Sequence, residues 1–143
     1  MIGKCNCGAV KFKINCETQP NLYQCHCSLC RKQSGTSSNA ATLVHESEFS
    51  WTAGEDKITR YKMKDGFTSH FCSVCGSPVP NRLRDTDKIW VPAGLLPGDI
   101  DFRIVAHIYT GSKASWETVL HDGKQHNKMP DFESLYNLIH MKD

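Results

Sequence analysis

The residues Cys25-His26-Cys27-Ser28-Leu29-Cys30 place three cysteines within six positions, and a shorter cysteine motif lies on either side of them. The two outer motifs are Cys5-Asn6-Cys7-Gly8 and Cys72-Ser73-Val74-Cys75-Gly76. Seven of the eight cysteines fall in these three motifs, and only Cys16 stands alone. Cysteines two or three positions apart make strained disulfides but share a metal ion readily. The spacing therefore predicts metal binding, and Cys16 is expected to be a small, partly buried thiol.

Zinc is the metal that these motifs favour. A structural zinc takes four ligands in a tetrahedron, commonly from two short turns, whereas a catalytic zinc keeps one position open. The outer motifs together supply four thiolates, and each ends in a glycine that suits a tight turn. The middle motif supplies three thiolates and would leave a fourth position open. Spacing alone also allows the first outer motif to pair with part of the middle motif.

Two other uses of the cysteines are less well supported. Eight is an even number, which a disulfide framework requires, but the first residues lack the apolar run of a secretion signal. We therefore expect a cytoplasmic protein, whose thiols stay reduced. A redox-active Cys-x-x-Cys pair belongs in a βαβ pattern, which the sequence does not show.

Length, charge and hydrophobic pattern indicate a single domain and argue against nucleic-acid-binding and membrane proteins. A length of 143 residues suits one domain, predicted here to span residues 1–143. The net charge of +2 gives no electrostatic reason to expect a nucleic-acid or membrane-surface partner. No apolar run reaches the roughly 20 residues of a membrane-spanning helix.

The hydrophobic pattern is mainly β. Val10, Phe12 and Ile14 alternate with lysines, as in a strand with one face in water. Further short strands, which favour antiparallel sheets, are predicted at 41–44, 50–52, 58–63, 68–71, 79–83, 89–91 and 104–109. Two short helices are predicted: residues 29–33 capped by Ser28 and ended by Gly35, and residues 132–140 capped by Asp131.

Three stretches carry a resemblance to a known family: Gly3-Lys4-Cys5-Asn6-Cys7-Gly8-Ala9-Val10, Cys25-His26-Cys27-Ser28-Leu29-Cys30-Arg31-Lys32 and Phe71-Cys72-Ser73-Val74-Cys75-Gly76. They are similar to the glutathione-dependent formaldehyde-activating enzyme family, which includes S-(hydroxymethyl)glutathione synthase and the centromere protein V domain. The similarity covers roughly residues 3–120 and includes Gly54 with Ile58-Thr59-Arg60-Tyr61, His107-Ile108 and Ser115-Trp116.

The resemblance implies a fold of the β-tent type, in which zinc staples short antiparallel sheets together with one or two short helices. It also implies two zinc ions per chain. The structural zinc would be held by Cys5, Cys7, Cys72 and Cys75, and the catalytic zinc by Cys25, Cys27 and Cys30.

Three thiolates on a divalent cation give a site with a formal charge of about −1, which is a weak activator of water but suits binding of a fourth sulfur. A thiol such as glutathione, bound there as the thiolate, would attack formaldehyde or a similar small electrophile, which makes the protein a carbon–sulfur lyase. The alternative is a non-catalytic, zinc-stabilised module that binds protein or nucleic acid.

The catalytic candidates flank the predicted ligands. His26 or Ser28 would donate a proton, and Arg31 would hold a carboxylate of glutathione. In the alternative interpretations, His26 is exposed or hydrogen-bonded to the backbone, and Arg31 belongs to a solvated helix face. His70 and His107 lie in predicted strands, where we expect them to be packed or hydrogen-bonded. Trp116 is expected in the core, with the wall of a substrate pocket as the alternative.

Overall fold

A computed structural model describes residues 1–120 and 122–142, and the mainly β prediction is confirmed. The strands of these residues are β1 Ile2–Lys4, β2 Lys11–Ile14, β3 Leu22–Cys25, β4 Asn39–His45, β5 Phe49–Ala53, β6 Ile58–Lys62, β7 Thr68–Cys72, β8 Asn81–Arg82, β9 Lys88–Pro92, β10 Ile104–Ile108 and β11 Lys124–Gln125. The α-helices are α1 Ser28–Ser34 and α2 Phe132–His140. Neither of these helices combines the length and the hydropathy that a bilayer crossing requires.

The chain divides into two compact units. The first consists of Met1–Glu17 and Leu43–Ile100, and the second of Thr18–Thr42 and Asp101–Asp143. Strand β4 has residues in both units. The single-domain organisation stays a prediction.

The first unit is built from short antiparallel pairs. Strand β2 lies between β1 and β5, and β6 pairs with β7 as β8 does with β9. Phe12 is fully buried in β2, where it stacks on Phe49 with ring centroids 5.4 Å apart. A second buried group consists of Cys5, Val10, Ile58, Cys72 and Val79. Cysteines of both outer motifs therefore belong to the core of this unit.

The second unit departs in part from the antiparallel pattern. Strand β3 pairs antiparallel with β4 but parallel with β10, and β11 adds to β10 in parallel. A parallel pair requires a long connection between its strands, which the chain between β3 and β10 supplies. Helix α2 packs against β10 and buries Leu135 and Ile139. The pairing matters for function because β3 ends at Cys25.

The helix ends agree with the predicted pattern in all but one cap. Helix α2 has the predicted bounds, and Asp131 Oδ2 accepts a hydrogen bond from the Ser134 N–H at 2.9 Å. Gly35 directly follows the last residue of α1 and ends the helix, as predicted, with φ of 69°. The prediction of Ser28 as its cap is wrong, because α1 starts one residue earlier. Its cap is Cys27, whose Sγ accepts from the Cys30 N–H at 3.4 Å.

Candidate metal centres

The four cysteines of the outer motifs meet in the first unit. The Sγ atoms of this four-cysteine cluster (Cys5, Cys7, Cys72 and Cys75) all lie within 4.8 Å of one another. The Cys5–Cys7 separation is 3.6 Å, and the Cys7–Cys72 separation is 3.9 Å. Tetrahedral zinc with Zn–S bonds of about 2.3 Å sets its sulfurs about 3.8 Å apart. The donor set and its spacing therefore fit zinc.

Tight turns and local donors organise the four-cysteine cluster. Gly8 and Gly76 both have φ of 76°, and their N–H groups donate to the carbonyls of Cys5 and Cys72 at 3.0 and 2.8 Å. The Val10 N–H donates to Cys5 Sγ at 3.3 Å. The Ser77 hydroxyl, 3.2 Å from Cys75 Sγ, lowers the pKa of that thiol to about 5. Such donors stabilise thiolates, which are the form that binds metal.

The middle motif forms a separate three-cysteine cluster (Cys25, Cys27 and Cys30) in the second unit. Cys25 ends β3 and is buried, whereas Cys27 and Cys30 are half-buried at the start of α1. Their Sγ atoms also lie within 4.8 Å of one another. Within residues 1–120 and 122–142, no histidine, aspartate, glutamate or further cysteine joins this cluster. The structure thus groups the outer motifs together and leaves the middle motif as a set of three.

Electrostatics single out one sulfur of the three-cysteine cluster. Hydrogen bonds from the thiols of Cys25 and Cys30 lower the pKa of Cys27 to about 2, and the N–H of Cys30 adds to the effect. In exchange, the contact with the Cys27 sulfur raises the pKa of Cys25 to about 12, and contacts with Cys25 and Cys27 raise that of Cys30. Cys27 caps α1, and a helix N-terminus stabilises a thiolate. The cluster thus presents a thiolate to a cation.

His26 faces away from bulk solvent, although it lies between two predicted ligands. Its side chain is fully buried. Its Nδ1 is 2.9 Å from Glu117 Oε2, and its Nε2 is 3.0 Å from His107 Nδ1. His107 is therefore packed and hydrogen-bonded, and His70 is half-buried in β7. The ring of His26 is thus bonded to two other side chains, those of Glu117 and His107. The spacing of these residues in the sequence does not reveal the contacts.

The other two candidates lie on α1. Ser28 is exposed and directly follows Cys27. Arg31 Nη2 donates to the Ser112 carbonyl at 3.4 Å. The Nε of Arg31 is buried and finds no acceptor among the described residues. Arg31 is therefore not an ordinary solvated side chain.

Tyr109 is a residue near the three-cysteine cluster that the sequence did not indicate. It follows Ile108, which pairs with Cys25 across β10 and β3. Its φ is 56°, an uncommon conformation for a residue other than glycine. Burial and the three nearby cysteine sulfurs raise its pKa, so the phenol stays protonated. The pairing of β3 with β10 brings Tyr109 near the three-cysteine cluster. A contact that depends on strand pairing leaves no local motif in the sequence.

Trp116 corrects another expectation, since it is 72% exposed and does not belong to the core. It lines an open cavity of about 1190 Å³ in the second unit, together with residues such as Gln24, His107 and Glu117. This placement corresponds to the pocket-wall alternative. Cys16 is half-buried as expected, and none of the eight cysteines, all of which the structure describes, forms a disulfide.

Comparisons with known proteins cover different parts of the chain. The family described as glutathione-dependent formaldehyde-activating enzyme matches residues 1–112. A Halomonas elongata protein, provisionally named glutathione-dependent formaldehyde-activating enzyme, is 35% identical over 85 residues, which are 54% of this chain and 52% of that protein. The match thus spans about half the length of this curated relative. A Rhodobacter sphaeroides protein of known crystal structure has a TM-score of 0.58 and 24% identity, covering 71% of this chain and 92% of that one, which shows likeness of fold.

Proposed function

The chain belongs to the glutathione-dependent formaldehyde-activating enzyme family, and on this basis we propose that it is a carbon–sulfur lyase that adds a thiol such as glutathione to formaldehyde or a similar small electrophile. The membership confirms the resemblance of the cysteine motifs. The observation that carries the proposal is the three-cysteine cluster, to which no fourth His, Cys, Asp or Glu of the described residues adds a donor. Three protein donors are the arrangement of a catalytic zinc.

Zinc is proposed for both clusters, giving two ions per chain. Thiolate donors select soft or borderline metals, and the sulfur separations in the four-cysteine cluster fit a tetrahedral ion. At the three-cysteine cluster, zinc would supply one kind of chemistry, which is to bind the incoming thiol in its deprotonated form. Because both sites need reduced sulfur, we place the protein in the cytoplasm.

The reaction joins a thiol to an aldehyde with all atoms retained. The sulfur forms a bond to the carbonyl carbon, the C=O π bond breaks, and the oxygen takes up a proton equivalent to the one that the thiol loses. Two hydroxyls adjoin the cluster in the proposal: Ser28, exposed beside Cys27, and Tyr109, whose raised pKa keeps its proton in place. Either can donate a hydrogen bond to the developing alkoxide.

Arg31 is proposed to bind a carboxylate of glutathione. Its buried Nε has no acceptor in the described chain, and a buried donor without a partner is costly. A small shift of the side chain would let a carboxylate reach Nε and one Nη, forming the paired hydrogen bonds that guanidinium favours. His26 has no free ring nitrogen, so the proposal gives it no direct contact with the substrate.

Glutathione titration of the zinc-loaded protein, followed by X-ray absorption at the zinc edge, tests the proposal. The mean number of sulfurs per zinc should rise from about 3.5 to about 4 when the open position takes a thiolate. S-methylglutathione, which has no thiol, is the matched ligand control, and Cys27→Ser is the protein control. No change up to millimolar glutathione would favour the non-catalytic binding module instead.

A further inference from the structure

We propose that Glu117 and His107 are positioning residues for the three-cysteine cluster, because together they clamp the ring of His26 between two of its ligands. This inference rests on the metal-binding part of the proposed function and does not depend on which thiol or electrophile reacts. Neither residue touches the reacting atoms in the proposal. Their role would be to fix the backbone that sets the distance between the sulfurs of Cys25 and Cys27.

The clamp is buried and tightly bonded. His26 and His107 are 0% and 2% exposed, and the side chain of Glu117 is 9% exposed. Glu117 Oε2 lies 2.9 Å from His26 Nδ1, and His107 Nδ1 lies 3.0 Å from His26 Nε2. The chain of bonds ends at the Asp122 carbonyl, 2.7 Å from His107 Nε2. Both nitrogens of both rings therefore have partners.

The partners of His107 determine which nitrogen carries the hydrogen in two of the three hydrogen bonds. The Asp122 carbonyl accepts only, so His107 Nε2 carries a hydrogen and donates it. Burial lowers the pKa of His107, which keeps that ring neutral and its Nδ1 an acceptor. The Nε2–H of His26 must then donate to it. The remaining contact joins His26 Nδ1 to Glu117 Oε2 at 2.9 Å.

The clamp transmits its geometry to the cysteines through a short backbone segment. The N–H of His26 donates to the Ile108 carbonyl at 3.0 Å, so the residue is held by its main chain as well as by both ring nitrogens. The clamping residues lie 81 and 91 positions further along the chain. A residue fixed at three points limits the backbone dihedrals on either side of it. The limited dihedrals fix the directions of the Cα–Cβ bonds of Cys25 and Cys27, and so the separation of their sulfurs.

Three variants test the clamp. Glu117→Ala leaves His26 Nδ1 buried without a partner, and we expect zinc at the three-cysteine cluster to bind about tenfold more weakly. Glu117→Gln should retain near-parental affinity, because its carboxamide N–H can donate to that nitrogen. Thr42→Val is the matched control: it removes another buried hydrogen bond of the same unit, from Thr42 Oγ1 to the Asn21 carbonyl at 2.8 Å. It should leave zinc affinity unchanged.

Zinc affinity is measured by competition with a chromophoric chelator, with the four-cysteine cluster as an internal reference. Hydrogen exchange of residues 25–30, recorded on the purified protein whatever its metal content, gives a second reading. Exchange should be faster in Glu117→Ala than in the parent, Glu117→Gln or Thr42→Val. If the parental three-cysteine cluster holds no zinc, the proposed function fails, while exchange still tests the clamp. Parental exchange in Glu117→Ala, or equal effects in Thr42→Val, would overturn the inference.

Discussion

Gly54 lies where the backbone leaves no room for a side chain. Its φ of 72° is in the left-handed region, and an added Cβ would lie 2.0 Å from the carbonyl oxygen of Ala9. Gly35 has a similar φ of 69° but has nothing within 4 Å of an added Cβ. Substitution of Gly35 therefore introduces backbone strain alone, whereas substitution of Gly54 introduces both backbone strain and a steric clash.

We expect Gly54→Ala to reduce the free energy of unfolding by clearly more than Gly35→Ala. The Gly35 substitution pays for left-handed strain alone, about 1 kcal/mol, whereas the Gly54 substitution must also displace the Ala9 backbone, for a total of about 3 kcal/mol. Urea denaturation of the two variants measures both values. Equal losses would show that the contact with Ala9 relaxes without cost.

The sequence predicted the cysteine motifs, but it did not predict the side chains that contact or lie near the three-cysteine cluster. Ligand spacing is a local property, so the three cysteine motifs could be identified, but spacing left open which motifs share a metal ion. Glu117 and Tyr109 carry no local signal, because only the pairing of β3 with β10 brings their chain segment near Cys25. The burial of His26 was likewise invisible, since the sequence does not show which way a side chain between two ligands turns.

At the scale of elements, strands were predictable both with one face in water, as in β2, and largely buried, as in β4 and β9, but β3 was not predicted. The alternation in β2 is plain in the sequence. Strand β3 was missed because its four residues show no polar–apolar alternation and run directly into the middle cysteine motif. Helix α2 was predicted correctly because its cap and its apolar spacing agree. The cap of α1 was misplaced because serine has the stronger general preference, while in this site Cys27 accepts the bond.

The cap of α2 gives a pH-dependent prediction. Hydrogen bonds from the Ser134 N–H and hydroxyl lower the pKa of Asp131 below its ordinary value. A lowered folded pKa means that the charge stabilises the protein above the ordinary carboxyl pKa, and that this stability is lost as the pH falls through the lowered value. Asp131→Asn keeps an acceptor without the charge. Its deficit in unfolding free energy should be constant near neutral pH and shrink below about pH 4. A deficit independent of pH would contradict this.

At the scale of the whole molecule, each compact unit contains one cysteine cluster, and the two clusters differ in their relation to the core. Cys5 and Cys72 of the four-cysteine cluster are among the buried residues of the first unit. Two members of the three-cysteine cluster are half-buried at the start of a helix. A metal in the first setting joins distant segments, and one in the second joins residues that are neighbours in sequence. The first should therefore matter more to stability.

Two serine substitutions test this difference. Cys72→Ser removes a fully buried thiol of the four-cysteine cluster, and because metal binding to such clusters is coupled to folding, we expect a protein that is unfolded or melts at least about 10 °C lower. Cys27→Ser puts a preferred cap residue at the start of α1, so the fold should persist while one zinc and the thiol-dependent turnover are lost. Circular dichroism melting, zinc content and turnover, measured on both variants and the parent, distinguish these outcomes. A parental melting temperature in Cys72→Ser would show that the four-cysteine cluster does not staple the first unit, and loss of both zinc ions in Cys27→Ser would show that the clusters do not act separately.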